Sequence, residues 1–288
     1  MKIDVLGANG QLGNELRCLA DRYSSHEFVF SDIDEVDICK EESLRYHLEK
    51  TAPDVVINCA AYTQVDKAEQ DVETADRINH QAVATLAGLS RTVPFFLIDV
   101  STDYVFDGHA CRPSVETDLP CPLSVYGSTK LAGEEAIVRL AERAVIIRTA
   151  WLYSSFGNNF VKTMLRLGAE RPELRVVFDQ VGTPTYAADL ADVILRFLPH
   201  VSQINDVQLF HYANEGVCSW YDFARAVIAR LPNACKVIPI ESKDYPTPTV
   251  RPCYSVLNKG KLKQFLHIEI PHWEDSLSRC LDLLLSNR

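Results

Sequence analysis

Two residue pairs in the chain place a lysine four positions after a tyrosine: Tyr126 and Lys130 in "SVYGSTKLAGEEA", and Tyr46 and Lys50 in "RYHLEK". On a helix the members of each pair lie one turn apart on the same face. A tyrosine can donate the proton that a ketone oxygen needs when hydride reduces its carbon, but an ordinary pKa of about 10 makes it a slow partner near neutral pH. A lysine charge nearby favours tyrosinate and is expected to lower that pKa.

The position of each pair in the chain separates them. Tyr126 follows the apolar run "FFLIDVS", a predicted strand that ends in "STDYVFDG" with the hydroxyls of Ser101 and Thr102. Ligands of open α/β sheets lie outside such carboxyl ends, where either hydroxyl can orient a substrate carbonyl. Tyr46 lies on a helix predicted only to cover the sheet. We therefore expect Tyr126 and Lys130 to be catalytic together with one of these two hydroxyls, Thr102 or Ser101, and Tyr46 to be an internal control.

A glycine-rich loop, "GANGQLG", follows the first predicted strand and opens the first helix. Gly7 permits a tight turn, Gly10 lets the backbone approach a pyrophosphate, and Gly13 allows the helix to pack on the sheet. The spacing G-x-x-G-x-x-G differs from the G-x-G-x-x-G fingerprint, and a glycine trio alone could be only a turn. The strand before it and the helix after it favour a dinucleotide site.

The second predicted strand, "FVFSD", ends in Asp32. An acid at this position binds the adenosine ribose hydroxyls and repels a 2′-phosphate, which favours NADH over NADPH. Asp34, Glu35 and Asp37 crowd the same loop, so any one of these acids could instead be solvated surface.

Short β-branched runs alternate with amphipathic stretches through the first 200 residues. The runs are "KIDVLG", "FVFSD", "DVVINCAA", "FFLIDVS", "AVIIRTAWLY" and "RVVFDQ". This alternation predicts an α/β fold, a Rossmann-type doubly wound parallel sheet with a smaller C-terminal substrate lobe. We expect residues 1–150 to form the dinucleotide-binding domain, rejoined by about 175–200 and 236–262, and the rest of 151–288 to form the substrate lobe. Helices are predicted at 72–92, at 128–143 and in "SWYDFARAVIARL".

Composition narrows the class of protein. A net charge of −10 opposes a broad phosphate-binding surface, so nucleic acid is not an expected partner. The chain has neither an apolar run long enough to cross a membrane nor a signal-peptide pattern, and its nine cysteines include no C-x-x-C pair. A cytoplasmic protein with reduced thiols and no membrane partner is expected.

The order of the motifs "GQLG", "AAYTQVDKAE", "STDYVFDG", "VYGSTKLAGE", "RTAWLY", "GNNFVKTML", "DQVGTPT" and "YPTPTVRP" resembles the dTDP-4-dehydrorhamnose reductases, within the extended short-chain dehydrogenase/reductases. The resemblance runs from residue 3 to about residue 265. It implies reduction of a 4-keto dTDP-sugar with NADH or NADPH, with Tyr126 as proton donor and Lys130 as its partner. It also places Thr102, Asp103 and Trp151 at the substrate. The implied cofactor contacts, besides Tyr126 and Lys130, are Gly10, Gln11, Leu12, Asp32, Asp37, Ile38, Ala61, Tyr62, Thr63 and Val100.

Several matched positions also have ordinary structural explanations. A tryptophan such as Trp151 at a strand end is usually core, Asn158 and Asn159 could be helix caps, and Arg251 could form a structural ion pair instead of binding a diphosphate. Some members of the resembled family bind Mg²⁺ at a dimer interface through glutamates. Glu15 matches one of them, but the other position is Ala188 with Asp189 beside it, so neither a metal nor a metal-bridged dimer is expected. A homodimer formed without a metal stays open.

Two other functions fit the sequence. One is a reductase or epimerase of another nucleotide-linked 4-keto-6-deoxy sugar, because substrate identity resides in the smaller lobe. The other is a regulatory subunit that binds dinucleotide without turnover, as the methionine adenosyltransferase β subunit resembles this family. A turnover assay separates them.

Overall fold

A computed structural model describes residues 1–232 and 234–286 of the chain. The strands within this part are β1 Lys2–Leu6, β2 Glu27–Ser31, β3 Val55–Asn58, β4 Phe96–Thr102, β5 Ala144–Thr149, β6 Leu152–Tyr153, β7 Glu173–Val177, β8 Val181–Gly182, β9 Thr185–Tyr186, β10 Val207–His211, β11 Cys218–Ser219 and β12 Lys236–Ile240. The α-helices are α1 Gln11–Ala20, α2 Glu41–Thr51, α3 Val65–Ala68, α4 Val72–Asp76, α5 Ala82–Leu89, α6 Val125–Leu140, α7 Phe160–Glu170, α8 Ala187–Arg196, α9 Trp220–Ile228, α10 Gly260–Leu266 and α11 Trp273–Ser286. Among these described residues, no helix is both long and apolar enough to span a bilayer.

The central sheet has six parallel strands in the order β10-β5-β4-β3-β1-β2. Its inner strands β3 and β5 are buried on both faces, which explains their continuous runs of apolar side chains. Helices α1, α8 and α10 cover one face of the sheet, and α2, α5 and α6 cover the other. The predicted doubly wound α/β fold is therefore confirmed.

The chain reverses direction across the sheet at β1, which pairs with β2 on one side and with β3 on the other. Ligands of open α/β sheets bind at such a switch point, outside the carboxyl ends of the strands. The loops that follow β1, β3 and β4 all open there, and they contain most of the predicted site residues.

One predicted strand of the central sheet is wrong. The run "RVVFDQ" contributes β7, which pairs with β12 in a separate two-stranded sheet, and the sixth central strand is β10, "VQLFH". The alternating burial of β7 fits a small sheet with one exposed face, whereas β10 lies at the sheet edge and lacks a strongly apolar run.

A second core gathers side chains from β6, β7, α7, α9 and α11 around Phe223 and Trp273. Within the segments expected to rejoin the first domain, α8 and α10 pack on the central sheet while β7 and β12 pack in this second core. The boundary at residue 150 stays a prediction, and residues 233 and 287–288 of the proposed lobe lie outside the described part.

The predicted helices are present with altered details. The helix expected at 72–92 contains a π-helical turn, Arg77–Gln81, between α4 and α5. Helix α6 begins at Val125, three residues before the predicted start, so Tyr126 lies in its first turn.

Candidate active site

A cleft of about 560 Å³ opens at the carboxyl ends of the central strands. It is lined by eleven of the predicted site residues: Gly10, Gln11, Leu12, Ala61, Thr63, Val100, Thr102, Asp103, Tyr126, Lys130 and Trp151. Residues from the glycine loop, from the loop after β3, from β4 and from α6 therefore meet in one concave site.

Local capping fixes the start of α6 and with it Tyr126. The Ser124 hydroxyl accepts a hydrogen bond from the Gly127 N–H at 3.0 Å, and Glu69 Oε1 accepts from the Val125 N–H at 2.9 Å. Both bonds satisfy backbone donors that a helix start otherwise leaves unpaired. A Cβ at Gly127 would lie 2.2 Å from the Tyr104 carbonyl oxygen, so the helix approaches the loop after β4 closely.

The two candidate hydroxyls at the end of β4 have different partners. Ser101 donates to Glu134, whose carboxylate is also held by the buried Arg148 at 2.6 Å. Thr102 donates to Asp103 Oδ1 at 3.0 Å and accepts from the Tyr104 N–H at 3.2 Å. Of the two, Thr102 is the hydroxyl that interacts with Tyr126. Its hydrogen bonding lowers the pKa of the tyrosine and so opposes the rise caused by burial.

Asp103 is a buried carboxyl at the wall of the cleft. Burial raises its pKa to about 7, against the hydrogen bond from Thr102, which lowers it. Its Oδ2 is buried and has no hydrogen-bond partner among the described residues. This oxygen can bind a polar group of a ligand in the cleft.

Burial raises the pKa of Tyr126 to about 12, with the Thr102 hydroxyl opposing the shift and the Asp103 charge adding to it. The expectation of a lowered pKa is therefore wrong, because burial dominates the shift. Tyr126 is consequently neutral at physiological pH, which is the form that can donate a proton.

Lys130 is 3% exposed, and its Nζ lies 3.9 Å from Asp99 Oδ2. Asp99 also accepts a hydrogen bond from the Asn58 amide at 2.6 Å. Burial raises the pKa of Asp99, and both Lys130 and Asn58 oppose that rise. Lys130 therefore lines the cleft and pairs with Asp99 of β4.

The glycine loop has the shape that a dinucleotide requires. Gly7 has φ +75°, and a Cβ there would lie 2.6 Å from the Ala60 nitrogen. A Cβ at Gly13 would lie 2.5 Å from the Ala8 Cα, so helix α1 starts against the loop. The α1 N-terminus, with Gly10 as its cap, borders the cleft and can bind an anionic phosphate.

Six predicted cofactor residues do not line the cleft: Gly7, Gly13, Asp32, Asp37, Ile38 and Tyr62. Asp32 Oδ2 accepts from the Asn9 N–H at 2.8 Å, so the acid at the end of β2 is bonded to the glycine loop. Asp37 Oδ1 accepts from the Cys39 N–H at 3.0 Å, and Ile38 packs against the core under α2. Their proposed cofactor roles stay predictions.

Sequence reasoning missed Asn79, which lies in the π-helical turn and is completely buried. Its amide accepts from the Tyr62 N–H at 2.9 Å, donates to the Tyr62 carbonyl at 3.1 Å and donates to the Thr129 hydroxyl at 3.2 Å. Asn79 thus joins the loop after β3 to helix α6. The only signal in the sequence is a polar residue within a helical pattern, which does not distinguish it from a surface position.

The structure shows the contacts of three further residues named in the sequence analysis, Asn159, Arg251 and Trp151. Asn159 caps α7 by accepting from the Lys162 N–H at 3.1 Å, and its amide donates to Gln11 at 2.9 Å. Arg251 lines the cleft and pairs with Asp66 at 2.7 Å. Trp151 lines the cleft and stacks on Trp220, a second residue that sequence reasoning missed.

Comparison with known proteins identifies the family. The family described as "RmlD substrate binding domain" matches residues 1–286. A dTDP-4-dehydrorhamnose reductase of Burkholderia thailandensis is 40% identical, over 99% of this chain and all of that protein. The chain belongs to the dTDP-4-dehydrorhamnose reductase family.

Solved structures of dTDP-4-dehydrorhamnose reductases have the same fold. One from Clostridium acetobutylicum superposes with a TM-score of 0.93 at 40% identity, covering 99% of this chain and 100% of that one. One from Bacillus anthracis, in complex with NADP, gives 0.92 at 36% identity, covering 98% and 99%. The similarity extends over nearly the whole chain.

Glu15 and Asp189, the acids considered above for a metal, are each bonded within the protein. Glu15 is buried and accepts from the Ser154 hydroxyl at 2.5 Å, and burial raises its pKa. Asp189, beside Ala188, is held by Arg279 and by the Asn214 amide. Residues 1–232 and 234–286 contain no cluster of acids, histidines and cysteines placed to hold a metal.

Proposed function

We propose that the protein uses NADH or NADPH to reduce the 4-keto group of dTDP-4-dehydro-6-deoxy-L-mannose, forming dTDP-L-rhamnose, a precursor of cell-surface polysaccharide. The observation that carries the proposal is the convergence of Thr102, Tyr126 and Lys130 with a dinucleotide-type glycine loop in one cleft. Membership of the dTDP-4-dehydrorhamnose reductase family supports the substrate class.

The groups that line the cleft are chemically suited to the parts of a nicotinamide dinucleotide. The α1 N-terminus and Gly10 to Leu12 suit the pyrophosphate, while Ala61, Thr63 and Val100 provide the wall beside it. Lys130 supplies a cation that can donate to ribose hydroxyls. When bound, the reduced nicotinamide supplies the hydride.

Tyr126 provides the proton. Its neutral hydroxyl, kept protonated by burial, donates to the substrate oxygen as negative charge develops there. Thr102 accepts from the Tyr104 N–H and lies beside this hydroxyl, where it orients the substrate carbonyl. Lys130 stabilises the tyrosinate that remains and so limits the cost of the transfer.

A second cavity of about 750 Å³ adjoins the cleft and shares Phe160, Trp220 and Arg251 with it. Its wall combines apolar side chains with three arginines and two acids, Arg171, Arg175, Arg251, Glu173 and Asp244. The arginines can pair with a diphosphate. In the substrate, the diphosphate is attached across the sugar ring from the keto group. We therefore place the dTDP portion in this cavity, and dTDP alone should compete with the sugar substrate.

A turnover assay tests the proposed function. Purified protein is mixed with dTDP-4-dehydro-6-deoxy-L-mannose and NADH or NADPH, and loss of reduced-cofactor absorbance is followed with product analysis. Production of dTDP-L-rhamnose supports the proposal. Cofactor binding without turnover would indicate the regulatory-subunit alternative, and turnover of only a different 4-keto-6-deoxy sugar would indicate the other enzyme.

We also propose a homodimer and a cytoplasmic location, where sugar nucleotides and reduced nicotinamides are available. The nine cysteines are free thiols in the structure, as a reducing compartment would keep them. Sedimentation with and without a chelator tests the dimer, and a mass independent of chelator is expected because Ala188 replaces a metal-binding side chain.

A further inference from the structure

Two of the chain's three tryptophans lie face to face at the edge of the cleft. The ring centroids of Trp151 and Trp220 are 3.6 Å apart with an interplanar angle of 11°, and both residues line the cleft. The third, Trp273, is buried in the core of the C-terminal lobe against Phe223. The stacked pair is therefore a local feature of the site.

Trp151 adopts a backbone conformation that a large side chain rarely takes. Its φ is +48°, in the left-handed region. It lies between β5 and β6, and its carbonyl accepts from the Thr185 N–H at 3.1 Å. Strained conformations of this kind persist where surrounding contacts enforce them, and they concentrate at ligand sites.

Strand β8 approaches the Trp151 ring closely. A Cβ at Gly182, in β8, would lie 2.7 Å from Trp151 Cε2, so only glycine leaves room for the ring. Strand β8 pairs with β11, in which Cys218 lies opposite Gly182.

Trp220 immediately follows β11 as the first residue of α9, where a capping box fixes the backbone. The Ser219 hydroxyl accepts from the Asp222 N–H, and the Asp222 carboxylate accepts from the Ser219 N–H. Phe160 packs against Trp220 with ring centroids 4.7 Å apart. Trp220 is thus supported on several sides before any ligand binds.

We infer that Trp220 is a positioning residue that holds the Trp151 ring as a flat wall for the sugar of the substrate. The inference rests on the proposed function, because it assigns the stacked pair to a sugar nucleotide. Trp220 also lines the adjoining cavity. It therefore lies at the border between the cleft proposed to bind the sugar and the cavity proposed to bind the nucleotide. The stack persists when substrate binds.

Kinetics of Trp220→Leu and Trp220→Phe provide the first test. Losing the stack should raise KM for the keto sugar roughly five- to tenfold in Trp220→Leu, while kcat and KM for NADH change less than about twofold. The aromatic ring of Trp220→Phe should restore part of the difference and guard against a folding defect. Trp273→Phe is the matched control and should leave KM for the sugar unchanged.

Circular dichroism provides a readout of the stack itself. Two indoles in contact give an exciton couplet, which should be present in the wild type and in Trp273→Phe but absent from both Trp220 variants. Addition of dTDP-L-rhamnose to the wild type should leave the couplet in place. A couplet lost on binding would mean that Trp220 is displaced by the sugar, which would overturn the inference.

The two proposals can fail separately. A wild type that turns over no keto sugar contradicts the proposed function, and the inference with it. A wild type that is active, with the same sugar KM in Trp220→Leu, contradicts only the role of Trp220.

Discussion

The chemistry proposed for the cleft depends on how a few side chains are hydrated. Tyr126 is half-buried in the wall of the cleft, and its burial raises its pKa to about 12 and keeps the hydroxyl neutral. For a reductase this is the useful state, because the proton must be available when the substrate oxygen becomes basic. The charge of Lys130 is paired with Asp99, whose Oδ2 lies 3.9 Å from the lysine Nζ.

Replacing Tyr126 with phenylalanine tests the proton donor. Tyr126→Phe should lower kcat by about two to four orders of magnitude while cofactor affinity stays nearly unchanged, because the ring remains and only the transferable proton is lost. Tyr46→Phe is the control, since Tyr46 is 66% exposed on α2. Equal losses in the two variants would remove the basis for assigning Tyr126.

Asp32 allows a prediction about cofactor choice. We expect kcat/KM with NADH to be at least as high as with NADPH, because a carboxylate at the end of β2 repels a 2′-phosphate. Asp32→Ala should shift the ratio toward NADPH and raise KM for both cofactors, because it also removes the bond to the Asn9 N–H. Asp34→Ala, an exposed acid of the same loop, should change neither. A strong NADPH preference that Asp32→Ala leaves unaltered would place another acid at the ribose.

At this scale the sequence predicts residues whose role follows from spacing after a strand. The location of Tyr126, Lys130 and Thr102 in the cleft was predictable because the strand end and the helix period fix their neighbourhood, and their catalytic roles stay predictions. Asn79 and Trp220 were not, because their importance comes from partners distant in sequence, namely Tyr62 and Trp151. The sign of the Tyr126 pKa shift was also missed, since burial cannot be read from a four-residue spacing.

Among the secondary-structure elements, the helix that runs through α4, the π-helical turn and α5 connects two parts of the site. The wider turn places Asn79 between the loop after β3 and α6, and a Cβ at Gly133 of α6 would lie 2.3 Å from the Asn79 carbonyl oxygen. π-helical turns occur frequently at functional sites. This one joins the loop after β3 to helix α6.

Asn79→Leu should therefore loosen both partners. We expect the free energy of unfolding to fall by about 2–3 kcal/mol, because buried backbone groups of Tyr62 lose their hydrogen bonds. KM for the cofactor should rise as well. His80→Leu changes a half-buried residue of the same turn that pairs with Asp76, and it should cost less than about 1 kcal/mol. Denaturant titration and initial-rate kinetics measure both effects, and equal destabilisation by the two variants would contradict the proposed coupling.

Secondary structure was predictable where pattern and burial agree. The strands β1 to β5 and helix α9 follow directly from apolar runs and helical periodicity. The exchange of β7 for β10 in the central sheet was not predictable, because strand pairing depends on residues far apart in the chain. Edge strands also carry a weaker apolar pattern than central ones.

For the whole molecule, one buried histidine gives a prediction about acid stability. His211 ends β10 with its Nδ1 3.1 Å from the Ser114 carbonyl oxygen, and burial, with the Arg148 charge, lowers its pKa to about 3. The unfolded chain takes up this proton near pH 6.5 and the folded protein only near pH 3. The neutral, buried form of His211 therefore contributes fully to the stability of the folded protein above pH 6.5, and this contribution is lost as the pH falls toward 3.

Lowering the pH from 7.5 to 5 should reduce the free energy of unfolding of both the wild type and His211→Gln. The reduction should be about 2 kcal/mol smaller in His211→Gln. The comparison isolates His211, because buried carboxyls such as Asp103 contribute to both proteins alike. His109→Gln, at an exposed position, is the control and should track the wild type. Denaturant titrations at both pH values provide the measurement, and parallel curves for all three proteins would show that His211 is not the acid-sensitive group.

The place of β10 in the sheet has a consequence for synthesis on the ribosome. Strand β5 is apolar on both faces, and its partner β10 is translated only after α7 and α8. Until then a nascent sheet of β1 to β5 would expose the backbone of β5 as an open edge, a template for pairing with other chains. Chains that stall before β10 should therefore be the ones that aggregate or engage chaperones, whereas those that have passed it can close the sheet themselves.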